Sequence, residues 1–158
     1  MLSVLDEEPR MTVTIRHAIP ADETRWLELW AGYCAFYQVS LGDQVTTRTW
    51  LRIMDPASQI HCIVACDAAG RVQGIANYIL HDNTWTLTPV CYLEDLFVDP
   101  VVRGRQFGKA LIDWLVAQAK AQGWSRLYWM TREDNATARR LYDRYTPRDQ
   151  FIRYLLRP

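Results

Sequence analysis

YLEDLFVDPVVRGRQFGK, residues Tyr92 to Lys109, is the stretch from which the fold can be read. Its first half alternates apolar residues with acidic ones, and Val90–Val98 reads as a strand that Asp99-Pro100 closes. Its second half, Arg103-Gly104-Arg105-Gln106-Phe107-Gly108-Lys109, opens an amphipathic helix. Phe107, Ala110, Leu111, Trp114, Leu115 and Ala119 mark one face of that helix, and Gly123 marks its end. Glycines and cations at a helix start make an anion site, because free backbone N–H groups and the helix dipole face the ligand. The P-loop pattern does not fit: three residues separate Gly104 from Gly108, and Ala110 follows Lys109 where Ser or Thr is needed. The dinucleotide pattern G-x-G-x-x-G is also absent.

Upstream of this stretch, Thr12–His17 reads as a strand, and Pro20-Ala21-Asp22 starts a helix with Asp22 as candidate N-cap. Trp26, Trp30, Tyr33 and Tyr37 recur at helical spacing, and Asp43–Met54 reads as a second helix. Ile60–Asp67 and Val72–His81 form a hairpin pattern around Ala68-Ala69-Gly70-Arg71. Downstream, Ser125–Met130 reads as a strand, Ala136–Tyr145 as a helix and Phe151–Leu156 as a last strand. This order argues for an α/β protein in which helices cover a mixed sheet.

The 158 residues suffice for one domain, expected over 11–158, with residues 1–10 as a loose tail. Residues 6–8 are acidic where a signal peptide is basic, and charges break every apolar run, so a cytoplasmic protein with no membrane partner is expected. The four cysteines and three histidines show no ligand spacing, so neither metal nor disulfide is expected. Net charge is zero but unevenly spread. Residues 1–100 hold six Arg against 13 acids, and residues 101–158 hold ten Arg and two Lys against five acids. That split suits an anionic ligand on the second half and a cationic one on the first, or simply a solvated surface. With two Lys and no aromatic–basic repeat, no nucleic-acid partner is expected.

Two motifs together resemble the GNAT superfamily of acetyl-CoA-dependent N-acetyltransferases. Its pyrophosphate loop, (Gln/Arg)-x-x-Gly-x-(Gly/Ala), is matched at Arg103 and Gly108, with Gln106 where glycine is usual. Its next signature, Asn-x-x-Ala-x-x-(Phe/Leu)-Tyr, is matched by Asn135, Ala138, Leu141 and Tyr142. The resemblance implies a mostly antiparallel mixed sheet of six to seven strands flanked by about four helices. It also implies acetyl-CoA as co-substrate, held by the backbone of Leu96, Phe97 and Val98, by Arg103–Lys109 (Arg103, Gly104, Arg105, Gln106, Phe107, Gly108, Lys109), and by Asn135 and Ala138. Gln106 is expected to be helical there and still to donate its N–H.

Tyr-Leu-Glu-Asp (Tyr92–Asp95) is similar to the polyamine and diamine branch, which implies Glu94 as the base acting through water and Tyr142 as the general acid. Strand alternation predicts that Glu94 and Asp95 face opposite ways, and Asp95 could equally pair with an arginine. Tyr33, Tyr37, Asp43, Trp85, Glu94 and Asp95 are candidates for the acceptor site, although most of the aromatics would also suit a core. The acceptor implied is a small cationic amine: a polyamine, a diamine or a basic amino-acid side chain. The competing readings are an acyl-CoA-binding module impaired by Gln106 and an enzyme acting on a protein lysine or N-terminus. A homodimer is expected from the relatives, many of which associate through the C-terminal strand region.

Overall fold

The computed structural model describes residues 12–158, so the N-terminal tail expected over 1–10 lies outside the described residues. The strands are β1 Thr14–His17, β2 Ile60–Cys66, β3 Val72–His81, β4 Val90–Val98 and β5 Arg126–Trp129. The helices are α1 Glu23–Phe36, α2 Asp43–Met54, α3 Phe107–Gln122 and α4 Ala136–Tyr142. The strands form one sheet in chain order, antiparallel from β1 to β4, with β5 parallel to β4. The parallel step follows from α3, which carries the chain back across one face between β4 and β5.

Helices cover both faces, so β2 and β3 can be apolar on both sides. On one face Ile63, Ala65, Ala76, Cys91 and Leu93 pack against Phe107, Leu111, Ile112 and Leu115 of α3. On the other, Cys62, Val64, Cys66, Ile75 and Phe97 pack against Trp26, Leu29, Trp30 and Trp50 of α1 and α2. The α1 aromatics stack in sequence, Trp26 on Trp30 and Trp30 on Tyr33, each at 5.3 Å between centroids, and Tyr37 just after the helix packs tilted against Tyr33 at 4.8 Å. Close approach of α1 to the sheet depends on Gly32, where a Cβ would lie 2.7 Å from the Phe97 ring.

Three expectations are corrected. Among the described residues the sheet has five strands, not six to seven, because Phe151–Leu156 forms none. Its residues favour extended backbone, but a strand also needs a ladder partner, and the segment pairs with no described strand. The last helix stops at Tyr142, with residues 143–145 as turn. Asp22 precedes α1 as expected but does not cap it. Its carboxylate accepts from Arg16 at 2.6 Å and from the Ile19 N–H at 2.9 Å, tying β1 to the helix start.

Candidate active site

The site lies where β4 and β5 part. Their pairing runs from Val90↔Arg126 to Leu93↔Trp129 and then stops, so β4 beyond Leu93 is paired only with β3. At the parting point, Asn77 opposes Asp95 while Tyr78 opposes Leu93, which leaves Glu94 as the extra residue of a β-bulge. A bulge resets the alternation of the strand. Cys91 and Leu93 pack on the α3 side before it, and Leu96 and Val98 pack on that same side after it. Glu94 and Asp95 therefore share the α1 face, contrary to the opposite faces that simple alternation predicts.

The two carboxylates have different surroundings. Asp95 is 8% exposed and accepts from Asn77 Nδ2 at 3.1 Å, while Asn77 Oδ1 accepts from Trp26 Nε1 at 3.4 Å. The Tyr33 hydroxyl lies beside it, so its partners are neutral groups and not the arginine considered from the sequence. Burial raises its carboxyl above the usual range, against the opposing pull of Tyr33 and Asn77. Glu94 reaches solvent, yet the protein around it, and secondly the charge of Asp95, raise its carboxyl as well.

Tyr142, at the end of α4, stands against Trp129 with ring centroids 5.5 Å apart, and Tyr37, the residue after α1, lies near it. Burial, with Tyr37 second, pushes its phenol up to about 12, so it keeps its proton at neutral pH. Asn135 caps α4 by accepting from the Ala138 N–H at 3.4 Å and donates to Thr131 Oγ1 at 3.0 Å. A cleft of about 330 Å³ lined by Phe36, Arg132 and Asn135–Thr137 separates the end of α1 from the start of α4.

The free edge of β4 presents a row of backbone groups. The Asp99 N–H donates to Gln73 O at 2.8 Å, so by antiparallel alternation Phe97 bonds towards β3 while Leu96 and Val98 point to the open edge. Of the three residues expected to offer backbone to the coenzyme, Leu96 and Val98 are so placed. Phe97 instead sends its ring into the core beneath α1. At the end of this edge Arg103 Nε donates to Val98 O at 3.4 Å, with its guanidinium 5.4 Å from the Phe97 centroid.

The loop that follows turns through two left-handed residues, Gly104 at φ 81° and Gln106 at φ 70°. Contrary to the helical conformation expected from the sequence, Gln106 occupies a left-handed N-cap position that glycine would adopt without strain. Its carbonyl accepts from Ala110 at 2.9 Å, which leaves the N–H groups of Phe107, Gly108 and Lys109 directed out of the helix start. The Phe107 ring is core, and Lys109 is paired with Asp113 at 2.6 Å, so these two can serve an anion only through backbone.

Of the acceptor candidates, Tyr33, Tyr37, Glu94 and Asp95 come together. Asp43, exposed at the first residue of α2, makes no hydrogen bond to them. Trp85 is 77% exposed in the β3–β4 loop, at the opposite end of β4 from the glycine loop, and Arg126 lies 5.9 Å from its ring. Tyr92 and Tyr128 stack at 4.9 Å beside Glu94 and were not among the candidates; only the β4–β5 register brings them together. Arg126 and Arg153 also lie on this side, so the basic half of the chain is not confined to the coenzyme loop.

The parted strand, the glycine loop at the start of α3 and Asn135 at the start of α4 thus stand around one gap in the sheet, and the comparisons with known proteins name the family. The family model described as acetyltransferase (GNAT) family matches residues 24–146. The chain belongs to the GNAT acetyltransferase family. D-amino-acid N-acetyltransferase HPA3 of Saccharomyces cerevisiae is 30% identical over 154 residues, covering 94% of this chain and 96% of that protein. The fold is shared with AAC(6')-Iy, solved with a CoA-containing bisubstrate analogue, at TM-score 0.77 and 21% identity over 93% of this chain and 99% of that one. It is shared also with ribosomal-protein-alanine N-acetyltransferase from Brucella melitensis, at TM-score 0.75 and 20% identity over 92% and 99%. This GNAT chain has no helix among its described residues long and apolar enough to cross a membrane, and no group of three or more His, Cys, Asp or Glu placed to hold a metal.

Proposed function

We propose that this GNAT enzyme transfers acetyl from acetyl-CoA to the primary amine of a small cationic acceptor: a polyamine, a diamine or the side chain of a basic amino acid. One observation supports the reading: the bulge turns Glu94 to the α1 face where β4 and β5 part, and Tyr142 of α4 stands against Trp129, the last residue of β5. The free N–H groups of Leu96 and Val98 suit an amide-bearing pantetheine arm, and the N–H groups at the start of α3, with Arg103 and Arg105, suit a pyrophosphate. A thioester in the gap supplies the acyl carbon. Glu94, through water, takes the proton that an ammonium must lose before it attacks, and Tyr142 donates to the departing thiolate. Tyr33, Tyr37 and Asp95 wall the acceptor side.

An α-amino acid is the second reading, favoured by the HPA3 relative. Four free cysteines, three of them buried, suit a reducing compartment such as the cytoplasm. We further propose a homodimer, in which a second copy covers the exposed apolar side chains of Phe151, Ile152, Tyr154 and Leu156. Light scattering should give twice the chain mass, reverting to one when residues 151–158 are removed; a monomer at working concentration refutes this.

The test of function is thiol release from acetyl-CoA with a panel of amines, together with Tyr142→Phe. The variant should keep the thermal shift given by acetyl-CoA while kcat falls about 10²–10⁴-fold, the usual contribution of a general acid. No shift and no thiol release with any amine would overturn the proposal. An unchanged kcat would leave Tyr142 a packing residue.

A further inference from the structure

Arg126 opens β5 with its guanidinium held between two rings, 5.9 Å from the centroid of Trp85 and 5.7 Å from that of Tyr128. Arg16, Arg25 and Arg132 each pair with a carboxylate, whereas Arg126 has neither an ion pair nor a hydrogen bond among the described residues. Its donors thus have no partner among the described residues. Stacking orients a guanidinium while keeping its N–H edge open to a planar anion. Tyr128 in turn stacks on Tyr92 with an interplanar angle of 16°, and the charge of Glu94 is felt at Tyr92. Glu94, Tyr92, Tyr128 and Arg126 therefore form a continuous path on the α1 face, from an acid at the gap, over two rings, to a cation beside Trp85.

The length of this path selects a ligand. Register places Arg126 beside Val90, four residues before Glu94, which is about 13 Å of strand. The guanidinium lies at similar distances from Trp85, in the loop before β4, and from Tyr128, two residues along β5, so the span is taken from its own register position. With about 3 Å of hydrogen bond taken off each end, an amine at Glu94 and a carboxylate at Arg126 lie about 7 Å apart. An α-amino acid joins the two through a single carbon and cannot span this. A chain of about four to six carbons can, with its methylenes lying on the Tyr92–Tyr128 rings.

We infer that Arg126, framed by Trp85 and Tyr128, is a carboxylate subsite, and that the acceptor is an ω-amino acid, a diamino acid such as ornithine or lysine included, acetylated on its terminal amine. The inference rests on the acceptor amine meeting Glu94 as proposed above.

The test compares kcat/KM for 6-aminohexanoate, 5-aminopentanoate and lysine with that for hexylamine, pentylamine and 1,5-diaminopentane, in wild type, Arg126→Gln and Arg126→Lys. Wild type should favour each amino acid over the alkylamine of equal length by tenfold or more, mainly through KM. Arg126→Gln should abolish that preference and Arg126→Lys should restore part of it. Three results would overturn the subsite: no preference for the carboxylate in wild type, an equal loss on both substrate types in Arg126→Gln, or a diamine outcompeting the amino acids. Thiol release with alkylamines alone would leave the acetyl-transfer reading standing while removing the subsite. Inactivity of wild type on every amine would remove both.

Discussion

Replacing Gln106 by glycine should make this protein more stable, although the substitution deletes a side chain. Gln106 sits at φ 70°, ψ 1°, its side chain makes no capping hydrogen bond, and only its carbonyl is engaged, by Ala110. An L-residue in this region carries a penalty of about 1–2 kcal/mol from its Cβ. Glycine escapes that penalty but gives up about 0.5–1 kcal/mol through the greater freedom of the unfolded chain. The balance favours Gln106→Gly by roughly 0.5–1 kcal/mol, which for a chain of this size raises the thermal midpoint by about 1–4 °C. Gln106→Ala keeps the Cβ and should gain nothing. Gly104→Ala should fall in the other direction, because a Cβ there meets no atom within 4 Å and its cost is wholly that of φ 81°. Thermal unfolding followed by circular dichroism, with and without coenzyme A, reads all three. The coenzyme-induced shift of Gln106→Gly should equal or exceed that of wild type, since the loop backbone would then be free of a Cβ. A lower midpoint for Gln106→Gly, or an equal gain from Gln106→Ala, would refute the reasoning.

Two further outcomes are expected. Asp95→Asn should move the acid limb of kcat/KM to lower pH: Glu94 works only when ionised, its carboxyl is raised first by burial and then by the Asp95 charge, and the substitution removes the second cause alone. A limb that stays in place would show that the two carboxylates are not coupled. Gly32→Ala should lower the thermal midpoint and weaken coenzyme binding, because its Cβ, 2.7 Å from the Phe97 ring, displaces the ring on which Arg103 rests. Overpacking of this kind costs about 1–3 kcal/mol, and a midpoint within 1 °C of wild type would mean that the helix shifts freely.

How much of this was legible in the sequence depended on what each feature needs from distant parts of the chain. Helix and strand positions up to β5 followed from periodicity and from punctuation at Pro20, Asp55-Pro56, Asp99-Pro100 and Gly123, all local signals. The loop at Arg103–Lys109 was likewise local, and it lies at the helix start where the sequence put it; the capping role of Asn135 emerged only with the structure. The orientation of Glu94 and Asp95 was not legible. A bulge arises from the mismatch between two strands, Asn77 against Asp95 and Tyr78 against Leu93, and period-2 reasoning applied to β4 alone inverts its result. Phe151–Leu156 failed for a related reason, since six residues with strand propensity cannot supply their own partner. Tyr128 and Arg126 were missed because only the parallel register Tyr92↔Tyr128 gives them meaning.

The same bulge explains how one strand can serve two ligands. Before it, β4 is held on both edges and offers only side chains, among them Tyr92 on the α1 face. After it, β5 has gone, and the backbone of Leu96 and Val98 is exposed along the open edge. The residue at the junction, Glu94, is the one left over by the register, so its side chain faces the α1 side while the next free main-chain groups, those of Leu96 and Val98, face the open edge. Under the proposed mechanism the amine and the acyl carbon meet at that junction, which is where a general base is needed. Glu94→Asp, which keeps the charge but withdraws it by one methylene, should therefore cost far more in kcat than in KM. Glu94→Gln should cost more still, with an acid limb that disappears. If Glu94→Asp kept full kcat, the base would have to be sought among the groups behind it, and the bulge would be left with the single task of opening the strand edge.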